Sequence, residues 1–359
     1  RKENELNYNA KASNWVLLPA VARKRNIIVT GQQIQLEQMA VESKHNEYID
    51  GKDHSMGIIA SGIAYNYVME NYPEGSPYPV LKISQYPLPK ELVRRMTADC
   101  DNVLIVEEGQ PFIEEMVRGV MPGNATIKGR LTGELPRTGE LNPNIVAHAL
   151  GMPIKENYVP SENVVPRPPA LCNGCGHRDV YKALNEIMKE YPNARVFGDI
   201  GCYTLGFLPP FNGIHSCVDM GASITMAKGA ADAGLWPAIA IIGDSTFTHS
   251  GMTGLLDAIN ENANITVIIS DNLTTAMTGG QDSAGTNKFE EICRGLGLSN
   301  EHLRGVVPVP KNMPEITRIL KEEIEYKGVS VIIPRRECLQ TFQRHLKMKK
   351  ANQQKEAKQ

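Results

Sequence analysis

Two kinds of hydrophobic pattern take turns along this chain from about Met56. Short apolar runs rich in Ile, Val and Leu occur at MGIIAS, PVLKIS and NVLIVEE. Each is followed by a stretch with helical spacing: GIAYNYVME, LPKELVRRM and PFIEEMVRGV. Strand-like runs alternating with amphipathic helices predict a parallel α/β domain over residues 45–152. The pattern then lapses in NYVPSENVVPRPPA, where Pro160, Pro166, Pro168 and Pro169 oppose both helix and sheet, so residues 153–169 read as a linker.

The alternation resumes over residues 170–340. It predicts a helix over 177–190, a strand at ARVFGDI, a helix over 222–234 and a strand at WPAIAIIGD. A helix over 251–262 follows, with Met252, Leu255, Leu256 and Ile259 on one face, and then a strand at ITVIISDN. In outline the chain is α/β with two doubly wound domains. Residues 341–359, rich in Lys and Gln, read as a basic polar tail in solvent.

Composition narrows the classes. The 359 residues are 42% apolar, enough for two cores, and 38 basic against 40 acidic side chains give a net charge of -2. No global field favours nucleic acid or an anionic membrane. The first residues are polar and no apolar run is long enough to cross a bilayer, which predicts a cytoplasmic location. The chain lacks an initiating Met, and its start reads like the interior of a longer protein. Seven cysteines without a secretion signal argue against a disulfide framework.

The densest chemistry lies in GDSTFTHSGMTGLLDAINENANITVIISDNLTTAMTGGQ. Here Gly243, Asp244 and Ser245 end one predicted strand, and Asp271 and Asn272 end the next. Neighbouring parallel strands present their carboxyl ends along one edge, so Asp244 and Asn272 are expected to face one crevice. A carboxylate, an amide and the polar Thr274 are hard oxygen donors of the kind Mg²⁺ accepts beside a diphosphate. Gly243 would let the backbone approach the phosphates. The same residues also suit an ordinary β-α turn with Asp244 as a helix cap.

Cys172 and Cys175 form a CxxC pair, Cys202 follows one strand and Cys338 follows the apolar run VSVIIP. That set suits zinc, redox thiols or an iron-sulfur cluster, and spacing alone leaves all three open. Gly221, Ala222 and Ser223 open a predicted helix whose amides could meet an anion, though Gly221 equally suits a tight turn. His177 and His249 are the candidates for proton transfer or carboxylate binding.

The strings RPPALCNGCGHR, GDIGCYTLG, DMGASITMAKG, GDSTFTHSG and TTAMTGGQ resemble the large (alpha) subunits of indolepyruvate ferredoxin oxidoreductases, within the 2-oxoacid:ferredoxin oxidoreductase superfamily. GIIASGIAYNYV, YPLPKELV, VEEGQPFIEE and LPRTGELNP resemble the preceding domain of that subunit, and the likeness runs from about Trp15 to Cys338. It implies a transketolase C-terminal-like domain followed by a thiamine-diphosphate-binding domain. It implies that Asp244, Asn272 and Thr274 hold Mg²⁺, that Gly243, Ser245, Gly221, Ala222, Ser223 and Cys202 approach the cofactor, and that Cys172, Cys175, Cys202 and Cys338 hold a [4Fe-4S] cluster. Cys100, Cys217 and Cys293 fall outside the pattern and read as buried or incidental thiols.

The implied reaction converts an aryl 2-oxo acid and coenzyme A to an arylacetyl-CoA and CO₂ while reducing ferredoxin. The implied partners are a beta subunit and ferredoxin, in a hetero-oligomer. Two departures qualify this. Residues 1–44 read as a remnant of the family's pyrimidine-binding domain, without its activating glutamate, and no Cys follows Cys338 where the family carries a ferredoxin-like domain. A non-oxidative thiamine-diphosphate decarboxylase or synthase stays open, as does an inactive cofactor-binding subunit that needs a separate pyrimidine-binding chain.

Overall fold

The structure, a computed structural model, describes residues 18–120, 123–154, 159 and 161–356. It falls into two compact units, one ending at Ser161 and the other starting at Glu162.

The first unit opens with α1 (Pro19–Val41), a helix whose side chains are mostly exposed, with Ala40 buried. The expected remnant at residues 1–44 thus includes a long helix, and its residues 1–17 lie outside those described. The elements β1 (Glu47–Ile49), β2 (Gly57–Ser61), α2 (Ile63–Asn71), β3 (Val80–Ile83), α3 (Lys90–Asp99), β4 (Asn102–Val106), α4 (Phe112–Val120), β5 (Thr126–Lys128) and α5 (Pro143–Ala149) follow. The strands pair in the order β1-β3-β2-β4-β5, parallel except for β1 against β3. Alternate strand residues enter separate cores. Ile58, Ala60 and Leu104 pack with Ala64 and Val68 of α2, while Ile59, Leu81 and Ile105 pack with Val93 of α3 and Ile113 of α4. Burial on both faces is why these strands read as continuous apolar runs.

The second unit contains α6 (Gly176–Met188), β6 (Arg195–Gly198), β7 (Ser216–Cys217), α7 (Ala222–Asp232), β8 (Ala238–Gly243), the single turn α8 (Asp244–Thr246), α9 (Met252–Asn260) and β9 (Ile265–Ser270). It continues through α10 (Phe289–Gly295), β10 (Leu303–Val306), α11 (Met313–Glu325), β11 (Val329–Pro334) and α12 (Leu339–Glu356). Its six-stranded sheet is parallel throughout, in the order β10-β11-β9-β8-β6-β7. Ile239, Ile241, Ile268 and Ile332 face α6 and α11, and Ala240, Ile242, Val267 and Val331 face α7, α9 and α10. From β6 the chain moves outward to β7, then returns to β8 on the other side of β6. The crevice at the carboxyl ends of β6 and β8 is therefore a switch point of strand order, where open α/β sheets take ligands.

The stretch read as a basic polar tail in solvent is helical through Glu356, and its residues 342–349 are exposed. Composition there is polar, but the first turns are anchored: Thr341 is buried, and Arg344 Nη1 donates to the Gly279 carbonyl at 2.7 Å. Packing of the leading residues nucleates a helix that Lys and Gln then extend. Among the described residues no helix is long and apolar enough to cross a membrane.

Candidate functional site

Asp244 stands one residue beyond β8, and the register pairs Gly243 with Ser270, so Asp244 and Asp271 leave the sheet side by side. Its carboxylate accepts from the amide of Ser245 at 2.7 Å through Oδ1 and from the amide of Thr274 at 3.0 Å through Oδ2. Asn272 Oδ1 accepts from the same Thr274 amide at 3.1 Å. One N–H thus draws the acid of one strand end to the amide of the next. This convergence needs an unusual backbone: Leu273 lies at φ +61, in the left-handed region, with its own amide held by Asp271 Oδ1 at 3.1 Å. A bulky residue there is rare, and such strain gathers at sites where a turn must present particular atoms.

Burial raises the Asp244 carboxyl to about 7, and the neighbouring Asp271 pushes the same way. A carboxylate kept this far from water, with an amide oxygen beside it, is a donor set suited to a hard divalent cation, whose charge would offset that cost. Ile200, Gly201, Tyr203, Met220, Met277 and Thr278 are among the residues that wall the crevice, whose volume is about 110 Å³.

The four cysteines Cys172, Cys175, Cys202 and Cys338 line a second cavity of about 170 Å³. Cys202, Asn272 and Ala276 border both spaces, so the two cavities share a wall. The thiols act on one another: burial pushes Cys202 up to about 11, with Cys175, Cys338 and Cys172 adding in the same direction. Backbone bonds tie this cavity to the 271–274 turn, since the Cys338 amide donates to the Asn272 carbonyl at 3.0 Å. The Cys175 amide donates to the Cys172 carbonyl at 3.1 Å and closes the CxxC loop. Among the described residues no three His, Cys, Asp or Glu side chains are gathered closely enough for one metal ion. The four thiols line this space together with residues such as His177, Arg336 and Gln340.

Several site residues do other work than the sequence led one to expect. The amides of Gly221 and Ser223 do not stand free for an anion: Gly221 donates to Asp199 Oδ1 at 2.8 Å and Ser223 to Asp199 Oδ2 at 3.1 Å. Asp199 is fully buried and caps α7, while Gly221, at φ +98, has its absent Cβ facing Ser250. The turn role of Gly221 is therefore the one realised, and Ala222 merely begins the helix. At Gly243, which lines the crevice, the Tyr203 ring lies 2.5 Å from where a Cβ would sit. The Thr274 hydroxyl donates to the Gln281 carbonyl at 2.9 Å, so its contribution at Asp244 is its amide.

His177 is buried against the edge of Tyr203, its Nε2 is 3.5 Å from Asn272 Nδ2, and burial drives it down to about 4. It is neutral at neutral pH and touches the site through Asn272. His249 is exposed on a π-type turn over Phe247–Gly251, against Ser250, and does not border the crevice. Of the remaining thiols Cys100 and Cys293 are buried and Cys217 is exposed. Asp199, Leu273 and Arg335 were not singled out from the sequence, and Asp271 was read only as the end of a strand. An Asp directly after a β-strand, as in VFGD, is the one signal that would have marked Asp199.

Residues 199–333 match the family model described as thiamine pyrophosphate enzyme, C-terminal TPP binding domain. The indolepyruvate oxidoreductase subunit IorA of Archaeoglobus fulgidus is 34% identical over 351 residues, which cover 90% of this chain and 55% of that protein. The subunits of the same name from Methanothermobacter thermautotrophicus and Pyrococcus horikoshii are 33% and 31% identical, covering 94% and 92% of this chain and 58% and 56% of theirs. The chain spans little more than half the length of these relatives.

Proposed function

Since the chain is related along nearly its whole length to the IorA subunits of indolepyruvate oxidoreductase and carries a thiamine pyrophosphate-binding domain, we propose that it is the cofactor- and cluster-bearing part of an enzyme that oxidatively decarboxylates aryl 2-oxo acids. The proposed substrates are indolepyruvate or a related arylpyruvate and coenzyme A. The products are the arylacetyl-CoA and CO₂, with two electrons passing one at a time to ferredoxin. A beta subunit and the pyrimidine-binding region of the enzyme complete the active site, in a hetero-oligomer of the cytoplasm.

The observation that carries this reading is the shared wall. Cys202, Asn272 and Ala276 border both the crevice holding Asp244 and the cavity holding four thiols. A decarboxylase that keeps its electrons has no need of thiols placed there. When bound, thiamine diphosphate supplies the electron sink for loss of CO₂, and an iron-sulfur cluster accepts single electrons. Asp244 and Asn272 would hold Mg²⁺, with the Thr274 amide keeping both oxygens in place. Cys172, Cys175, Cys202 and Cys338 would hold the cluster. Ile200, Met220 and Met277 line the crevice and present apolar side chains that are exposed at its mouth. Neutral His177 fixes the Asn272 amide and leaves its Oδ1 turned towards Asp244.

Asp244→Asn tests the anchor. Calorimetric titration with thiamine diphosphate in MgCl₂ is predicted to show affinity reduced by at least ~100-fold, beyond the 10–100-fold typical of losing an outer-shell partner. Affinity equal to the parent's would remove Asp244 from the site.

A further inference from the structure

Next to the proposed anchor lies a charge network, with Asp271 buried and Arg335 and Glu290 half-buried, that the proposed chemistry does not use. Asp271 is 1% exposed and leaves the sheet beside Asp244. Two such carboxylates at adjacent strand ends repel each other, and a buried carboxylate without a partner is strongly unfavourable. Asp271 has a partner: its Oδ2 accepts from Arg335 Nε, in a close contact. The other two guanidinium nitrogens form a bidentate fork on Glu290 of α10, at 2.8 and 2.9 Å. Arg335 thus spans two acids with all three nitrogens engaged, a geometry that Lys cannot reproduce.

The backbone reinforces this. The Asp271 amide donates to the Pro334 carbonyl at 3.0 Å, and the Arg336 amide donates back to the Asp271 carbonyl at 2.9 Å. The segment leaving β11 is therefore laced to the turn leaving β9. With Oδ2 held by Arg335, Asp271 turns Oδ1 to the amide of Leu273, the residue in the left-handed conformation. That conformation lets the Thr274 amide reach both Asp244 and Asn272.

We propose that Arg335 is a positioning residue of the cofactor site: it neutralises Asp271, holds the 271–274 turn in its strained form, and leaves Asp244 as the carboxylate free to meet the cation. The inference rests on the reading of Asp244 and Asn272 as the Mg²⁺-diphosphate anchor. Without Arg335, Asp271 is a second uncompensated anion, which either swings away and releases Leu273 or competes with Asp244 for the cation.

The test uses the full chain, titrated with MgCl₂ at fixed thiamine diphosphate, with bound cofactor read by calorimetry or fluorescence and no turnover involved. Arg335→Met is predicted to raise the half-saturating Mg²⁺ concentration at least ~10-fold, the scale of an outer-shell loss. Adding Asp271→Asn to it is predicted to bring the value back within threefold of the parent, because the charge that Arg335 answers is gone while an oxygen remains for the Leu273 amide. A merely structural arginine would not be rescued by removing a second buried partner. Arg335→Met within threefold of the parent overturns the inference, and so does a double variant no better than the single one. If Arg335→Met does not fold, the double variant carries the test alone: folded with near-parental half-saturation it supports the inference, and unfolded or tenfold weaker it overturns it. A parent chain without Mg²⁺-dependent uptake of thiamine diphosphate removes the premise instead, and that is read before any variant is made.

Discussion

Burial decides the state of His177, whose imidazole touches the site. His177 is pushed down to about 4 from an ordinary 6.5, so the unfolded chain takes up this proton first as pH falls. Its contribution is level above about pH 6.5, and stability is lost progressively from there towards pH 4, by on the order of 3 kcal/mol. His177→Gln is predicted to flatten this part of the pH dependence in urea unfolding measured at pH 7, 5.5 and 4.5; parallel curves for variant and parent would show that the burial cost is not borne by this residue. At this scale the sequence was legible where a side chain announces its own chemistry. Asp244, Asn272 and the four cysteines could be named from type and spacing. Asp199, Leu273 and Arg335 could not, because what they do depends on partners 22 to 64 positions away in the chain or on a backbone angle. The Tyr203 ring against Gly243 was likewise not visible in the sequence.

At the scale of elements, helices and strands with strong periodicity were readable, and each of the strands and helices read from the pattern in the two α/β stretches has its counterpart in the structure. Other elements went unread, among them α1, α5, α10, α11, β1, β5 and β10. β7 pairs only two residues with β6, too few to leave a pattern. The helix α12 grows from a polar sequence because its start is fastened to the rim of the thiol cavity, with Leu339, Gln340, Thr341 and Arg344 on that rim. Arg344 also clamps the Gly279 carbonyl of the loop that borders both cavities. Arg344→Ala is predicted to speed amide hydrogen exchange in residues 275–281 at least severalfold while leaving β8 and β9 unchanged. Unchanged exchange in that loop would mean the loop is held without the helix.

At the scale of the molecule, all residues assigned to the anchor and the thiol cavity belong to the second unit, and they meet where its strand order reverses. The parallel α/β class and the shared strand edge followed from the pattern of apolar runs, since only parallel strands joined by helices bring residues 244 and 272 to one rim. That the thiol cavity borders that rim was not available from spacing, because it depends on the Cys338 amide reaching the Asn272 carbonyl. A cluster in that cavity would separate an oxidative enzyme from a simple decarboxylase, and it can be measured. Anaerobically purified chain should contain about four irons and four sulfides per polypeptide, with little zinc, and Cys338→Ser should lose them. About one zinc per chain, or metal content that Cys338→Ser leaves unchanged, would contradict the assignment of these four thiols to an electron-accepting cluster.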